Sequence, residues 1–287
     1  MKQVKITGIH GYLGTLISDE LKKEGYAVSG VPRKLLYENE KALANEIRNC
    51  ELVINLAGVN ILRRWTPINK ELIYDSRVVT TTTLVNAINF LKENERPRQF
   101  ISASAIGIYT AGKTHNESST DFDSGFMGKV VKDWEAPLRN LPQSIQTTIF
   151  RIAPVLGKDS MTISKLMLPF KLGLGGKVAS GKQPFPFVHE QDLINAFVWA
   201  IRNKDKSGLF NLAAPENINN SEFTNQFAKI LHRPAFFTVP AFALKLFFGQ
   251  ASDMLIQSPQ AEPEALEQAG FSFTYPDIHS TLSDILA

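Results

Sequence analysis

The chain has 287 residues, of which 44% are apolar and 21% charged, with 31 basic against 28 acidic side chains. At roughly 150 residues per domain this length suits about two domains, and the composition sets aside disorder, collagen-like repeats and a small disulfide scaffold. The net charge of +3 is scattered in short pairs such as Arg33-Lys34 and Arg63-Arg64, not gathered into the basic face that nucleic acid requires.

The single cysteine, Cys50, excludes an internal disulfide framework and fits a reducing, cytoplasmic compartment. Met1-Lys2 runs straight into a β-branched stretch, so no signal peptide is expected. No run of 18 apolar residues suggests a membrane span. The best stretch, 239–248, is too short and carries Lys245.

In chain order, Gln3 to Thr7 reads as a short strand ended by Gly8. Tyr12 to Glu24 follows as a helix with Leu13, Leu16, Ile17 and Leu21 at helical spacing, and Gly25 ends it. Tyr26 to Val31 is a second strand, stopped by Pro32. Leu35 to Tyr37 is expected as a short strand and Glu40 to Arg48 as a helix. Leu52 to Leu56 is a buried strand, Ile68 to Lys92 a long helix, Gln99 to Ala103 a strand, Phe126 to Arg139 a helix and Thr147 to Ile152 a strand. Glycines 173, 175, 176 and 181 then suggest loops around a cleft. Asp192 to Arg202 is a helix, Leu209 to Ala213 a strand and Ser221 to Leu231 a helix. The aromatic stretch with Phe236, Phe237, Phe242, Phe247 and Phe248 is expected in a core. Strands alternating with helices predict an α/β protein, a Rossmann-type doubly wound parallel sheet with a smaller C-terminal α/β substrate domain. The predicted division is 1–156 plus about 184–204 for the sheet domain, and about 157–183 plus 205–287 for the smaller one.

The strongest chemical signal is Gly8-Ile9-His10-Gly11-Tyr12-Leu13-Gly14, between a predicted strand and a predicted helix. Gly8 permits the tight turn, Gly11 lets backbone approach a pyrophosphate, and Gly14 lets the helix sit close to the sheet. The helix N-terminus then offers free N–H groups to the phosphates, and His10, Tyr12 and Leu13 lie within the loop that holds them. An acidic residue at the tip of the second strand would bind a ribose 2′-hydroxyl. The tip here is Val31-Pro32-Arg33-Lys34, so Arg33 and Lys34 are expected to take a 2′-phosphate, favouring NADP(H) over NAD(H). Asn55-Leu56-Ala57-Gly58, Ser102 to Ala105 and Arg151 to Gly157 also follow strands. In an open parallel sheet ligands gather outside the carboxyl ends of the strands, so these loops and Gly8 are expected to frame one crevice. Asn55, Leu56, Ala57, Gly58, Ser102 and Ala153 are thus candidate cofactor contacts.

Other chemistries find no support. The five histidines form no ligand spacing and His189-Glu190 lacks a second histidine, so no metal is implied. There is no G-x-S-x-G elbow of a hydrolase, and the glycine run at 173–176 lacks the ending of a P-loop. Asp192 reads as a first-turn helix acid, and His189 as structural. Glu117 is a weak acid–base candidate.

The glycine fingerprint, the Asn55–Gly58 loop, the serines of Ser102 to Ala105 and the segment Arg151 to Gly157 together resemble the extended short-chain dehydrogenase/reductase superfamily. Further stretches are similar to its atypical "epimerase family protein" branch, NAD-dependent epimerase/dehydratase-like. These are Arg64-Trp65-Thr66, Asp75-Ser76-Arg77-Val78, Ile101 to Ala105, Asp133-Trp134-Glu135, Leu168 to Gly176, Ser180 to Gln183, Arg233 to Ala235 and Val239 to Ala243. They cover nearly the whole chain in order. The resemblance implies a Rossmann domain binding NADP(H), with a smaller domain closing a substrate cleft. It implies an oxidoreductase or epimerase acting on a small hydroxylated substrate, nucleotide-sugar-like ones included. Ser104 matches the catalytic Ser/Thr. Arg77 stands where relatives often carry asparagine and is a candidate for the cofactor or substrate. Arg64, Trp65, Lys182 and Gln183 are candidates for the substrate.

The usual tyrosine and lysine, four residues apart, are missing. Their positions fall on Met127 and Val131, which cannot move a proton. Tyr109 and Lys113 have the right spacing but lie in a glycine-flanked loop, so they would not share a helix face. Tyr109 is therefore the candidate substitute proton donor beside Ser104. The missing pair also motivates an alternative, an NADP(H)-binding regulatory protein without turnover. One branch of the family carries a cell-division-inhibitor label, which implies a protein partner.

Overall fold

The computed structural model describes residues 1–287. Its centre is a parallel sheet of six strands, running edge to edge as Ala27–Gly30, Gln3–Thr7, Leu52–Asn55, Gln99–Ala105, Gln146–Ile152 and Leu209–Leu212. All five ladders are parallel. The order reverses between 3–7 and 52–55, the switch point at which an open α/β sheet forms its crevice.

Period-two alternation explains the three layers. Leu52 and Ile54 join Val4, Ile6, Ile17, Leu21, Leu193 and Phe197 on one face. Val53 faces the other way, with Leu43, Ile47, Leu84, Ile88 and Phe100. Helices Tyr12–Lys23 and Glu190–Arg202 thus cover one side, and Glu40–Ile47 and Val78–Phe90 the other. A further cluster gathers Leu156, Ile163, Phe170, Phe187, Phe223, Phe227 and Leu282 from the chain after the fifth strand.

Several expectations need correction. Leu35 to Tyr37 is no strand but part of a one-turn helix, Leu35–Glu38. Its amides bond back to the carbonyls of Pro32, Arg33 and Lys34, which leaves nothing for a ladder. The long helix 68–92 is two, Pro67–Asp75 and Val78–Phe90. They break where the Ser76 hydroxyl donates to the Ile73 carbonyl and accepts the Val59 amide. Phe126–Glu135 ends before Pro137 and continues as a 3-10 turn. Leu209–Leu212 closes the main sheet, and Leu266 and Phe271 pack into its core, so the boundary placed at 205 divides a continuous structure. The phenylalanines at 236, 242 and 247 are not core: they are 89%, 74% and 73% exposed, and helix Ala241–Phe248 buries no residue. No helix is long and apolar enough to cross a membrane.

The C-terminal segment is tied to the sheet by two carboxylates. Asp192, fully buried, accepts the amides of Thr274 and Tyr275 at 2.7 and 2.9 Å. Glu117 accepts those of Asn211 and Ala265 at 2.7 and 3.1 Å. Burial pushes the Glu117 carboxyl up, but its oxygens are taken by backbone, so its role is a clamp. His189 caps helix Glu190–Arg202 by accepting the Gln191 amide and stacks on Tyr275.

Candidate functional site

The turn after strand Gln3–Thr7 is shaped by close approach. Gly8 has φ +69°, and a Cβ there would sit 2.7 Å from the Leu56 carbonyl oxygen. Gly11 heads helix Tyr12–Lys23 with no side-chain cap, and the first amide to rejoin the ladder is Thr15, to the Gly11 carbonyl. The amides of residues 12–14 therefore stay free at the positive end of the helix dipole. Gly8, Gly11, Tyr12, Leu13 and Gly14 face a cleft whose other wall is Leu56, Ala57 and Gly58. The cleft has a volume of about 260 Å³ and is lined further by Ile61, Arg77, Ala103, Ser104, Ala105, Met127, Val131, Trp134 and Ile152.

A buried polar row props this cleft from beneath. The ladders set Thr7 beside Asn55 and Asn55 beside Ser102. Thr7 Oγ1 donates to Asn55 Oδ1 at 2.8 Å and accepts the amides of Leu56 and Ala57 at 3.0 and 3.1 Å. Asn55 Nδ2 donates to Thr81 Oγ1 and Ser102 Oγ. Asn55 and Ser102, expected as cofactor contacts, are thus fully buried supports. Ala153 is buried too, and its neighbour Ile152 reaches the cleft instead. Thr7→Val is expected to cost about 1–3 kcal/mol, because two loop amides lose their acceptor. Urea unfolding checks this, and a loss within experimental error would remove Thr7 as the prop.

Tyr12 leans across the cleft mouth, its hydroxyl hydrogen-bonded to the Glu190 carboxylate. Burial and then that carboxylate push its phenol far above the ordinary range, so it does not ionise near neutral pH. Arg77 stacks over Trp134 at 5.4 Å and donates to the carbonyls of Val59 and Ile73. Burial pulls its guanidinium down to about 10, still charged at neutral pH. Gly58 makes room for it, since a Cβ there would lie 3.0 Å from Arg77 Cζ.

Met127 and Val131, the residues matched to the missing tyrosine and lysine, both line the cleft. Ser104 lines it as well, with its Oγ donating to Glu135 Oε1 at 2.5 Å. Tyr109 does not reach it, which corrects the proton-donor expectation. Its ring is 1% exposed and stacked on His115, while its hydroxyl donates to Asn211 Oδ1 at 2.8 Å and accepts from Arg151 Nη1 at 2.9 Å. Lys113 pairs with Asp121 on the surface.

The remaining candidates lie off the cleft wall. His10, Arg33 and Lys34 are exposed, the last two just past the strand beside the glycine turn. Arg64 and Lys182 are exposed. Trp65 donates its indole N–H to the Ile61 carbonyl and so supports the Ile61 wall. Gln183 is inward, and its Nε2 holds the carbonyls of Val178 and Leu255. The sequence reading missed Ile61, Trp134 and Ile152 on the wall and Glu135 behind it. The four-residue spacing of Met127, Val131 and Glu135 was the available signal.

Residues 4–213 match the NAD dependent epimerase/dehydratase family. The chain belongs to this family. Residues 239–285 also match a domain of unknown function, DUF1731. Among curated relatives of this epimerase/dehydratase family member, "Epimerase family protein SDR39U1" of Bos taurus is 30% identical over 99% of this chain and 100% of its own. "Epimerase family protein SH2119" of Staphylococcus haemolyticus is 29% identical over 100% and 99%. Among solved structures, human epimerase family protein SDR39U1 (isoform 2) with NADPH superposes with a TM-score of 0.91 at 30% identity, covering 99% of this chain and 98% of that one. A nucleoside-diphosphate sugar epimerase from Corynebacterium glutamicum gives 0.76 at 25% identity, covering 99% and 58%. The glycine turn, the free amides and the Leu56–Gly58 wall of this family member fit a dinucleotide: a Cβ at Gly8 or Gly14 would collide with backbone, and no side chain occupies the helix cap.

Proposed function

We propose that this protein is an NADP(H)-dependent oxidoreductase acting on a small hydroxylated substrate. The observation that carries the reading is Ser104: in a cleft where Met127 and Val131 replace the usual proton-moving pair, it keeps a hydroxyl bonded to a carboxylate. The cofactor assignment rests on the free amides of the glycine turn, on Arg33-Lys34 with no acid at the strand tip, and on the human relative solved with NADPH. Residues 12–14 would hold the pyrophosphate and Arg33 and Lys34 the 2′-phosphate. When bound, the nicotinamide supplies hydride transfer, and the protein's part is to position the substrate and exclude water. Leu56, Ile61, Met127, Val131 and Ile152 give that region an apolar wall, and Ser104 orients the substrate oxygen.

Calorimetric titration at fixed salt tests the cofactor. NADPH should bind at least about tenfold tighter than NADH, about 1.4 kcal/mol. Arg33→Glu/Lys34→Glu should erase that margin with little change for NADH. Tighter NADH binding, or none of either, sinks the reading. Turnover is then sought by nicotinamide absorbance across alcohols, aldehydes and sugar nucleotides, with a product assay for any epimerisation that returns its hydride. The apolar pair Met127 and Val131 equally suits a regulatory NADP(H) sensor with a protein partner. Retention of full cellular function by Ser104→Ala would favour that second reading.

A further inference from the structure

Four side chains with polar hydrogens line the cleft: Tyr12, Arg77, Ser104 and Trp134. Tyr12 donates to Glu190, Trp134 donates its indole N–H to Thr81, and Arg77 reaches the carbonyls of Val59 and Ile73 while keeping its charge. Tyr12 and Ser104 both donate to a carboxylate, but Tyr12 belongs to the phosphate-binding turn, so Ser104 is the one beside the apolar wall of Met127 and Val131. Its partner Glu135 is gripped by Arg151, Nε to Oε1 at 2.8 Å and Nη2 to Oε2 at 2.7 Å. Arg151 also donates to Tyr109, Tyr109 to Asn211, and Asn211 to the Glu262 carbonyl. The sheet builds this row, for the ladders set Ser104 beside Arg151 and Arg151 beside Asn211.

The polarity of the row is fixed at both ends. Arg151 gives hydrogens and accepts none, and a carboxylate has none to give. The serine hydrogen therefore belongs to Glu135, and Ser104 Oγ has only acceptor capacity left. A ligand group that bonds to it must be a donor. The helix explains how a carboxylate came to stand here. Met127, Val131 and Glu135 are spaced by four and share one face, so the acid lies one turn beyond the two apolar positions, where Ser104 projects.

We propose that Ser104 and Glu135 form a proton-accepting pair that selects the hydroxyl of an alcohol over the carbonyl of its oxidised form, with Glu135 taking the proton through the serine. This rests on the oxidoreductase reading above. In the step, the carbon–hydrogen electron pair of the alcohol leaves as hydride to an oxidised nicotinamide nucleotide, which is reduced, and the C=O bond forms. The hydroxyl proton passes to Ser104 Oγ as the serine's own proton passes to Glu135 Oε1. Carbonyl reduction runs the same path backwards and starts from protonated Glu135.

The test compares cyclohexanol with cyclohexanone, which match in size and suit the apolar wall, on NADP⁺-loaded and NADPH-loaded protein. Binding is followed by saturation-transfer NMR, so turnover is not needed. The wild type is expected to bind cyclohexanol at least about tenfold tighter than the ketone. Ser104→Ala, which leaves the Glu135–Arg151 pair in place, should bring the two to parity with nicotinamide affinity and melting temperature unchanged. The double replacement Arg151→Met/Glu135→Leu removes the serine's acceptor together with the charge that needs it, frees the Ser104 hydrogen for the cleft and should shift preference toward the ketone, an inversion that a merely structural glutamate would not produce. Equal or tighter ketone binding in the wild type overturns the proposal, as does binding of neither probe while the nicotinamide nucleotide binds, and both leave the cofactor reading standing. Absence of nicotinamide binding overturns both.

Discussion

Arg151→Ala is expected to lower the unfolding free energy by about 3–5 kcal/mol, the usual cost of removing one partner of a buried ion pair. Its side chain is 4% exposed and that of Glu135 13%, so neither charge has water to fall back on. The substitution strands the carboxylate between Ser104 and a new void, and it removes a donor from Tyr109. The double replacement Arg151→Met/Glu135→Leu should recover most of the loss, because apolar residues of similar volume carry no desolvation penalty. Urea unfolding of the wild type, both single variants and the double closes the cycle. A single-variant loss below about 1 kcal/mol would mean that the pair is solvated like a surface bridge.

Gly14→Ala should abolish cofactor binding by more than about a hundredfold, about 2.7 kcal/mol. A methyl group there would lie 2.2 Å from the Gly8 carbonyl oxygen and 2.7 Å from Ile9 Cα, both backbone atoms of the turn itself. The turn must open, and the free amides of residues 12–14 lose their aim. Gly25→Ala is the control. Unlike Gly14 it has positive φ, +84°, but nothing lies within 4 Å of its Cβ, so it should cost about 1–2 kcal/mol of stability from backbone strain alone and leave NADPH affinity untouched. Equal effects of the two on affinity would remove close packing as the reason for the third glycine.

What could be read from the sequence was what local pattern encodes. The strand–glycine–helix opening, the buried strand Leu52–Asn55 and the convergence of Gly8 with Leu56–Gly58 rest on period and turn chemistry within a few residues. The placement of Met127 and Val131 on the cleft wall came from the family resemblance, which set them where the usual tyrosine and lysine stand. The errors lie where a partner is remote. Ser102 and Ser104 look alike in sequence, yet the first is fully buried and bonded to Asn55, and the second faces the cleft with Glu135, 31 residues away. Tyr109 offers a plausible phenol until Asn211, 102 residues on, is seen to take its hydrogen. The phenylalanines of 236–248 satisfy any hydropathy rule for a core, but none of them is buried.

The amides that satisfy Asp192 come from residues 274 and 275, and one of the two that satisfy Glu117 comes from residue 265. Synthesis proceeds from the N-terminus, so both acids wait with unmet hydrogen-bonding capacity after every strand of the sheet has been made. A nascent chain stalled before residue 265 would leave Asp192, in the first turn of helix Glu190–Arg202, without either amide and Glu117 with that of Asn211 alone. The ribosome must therefore deliver this late stretch before the sheet can settle.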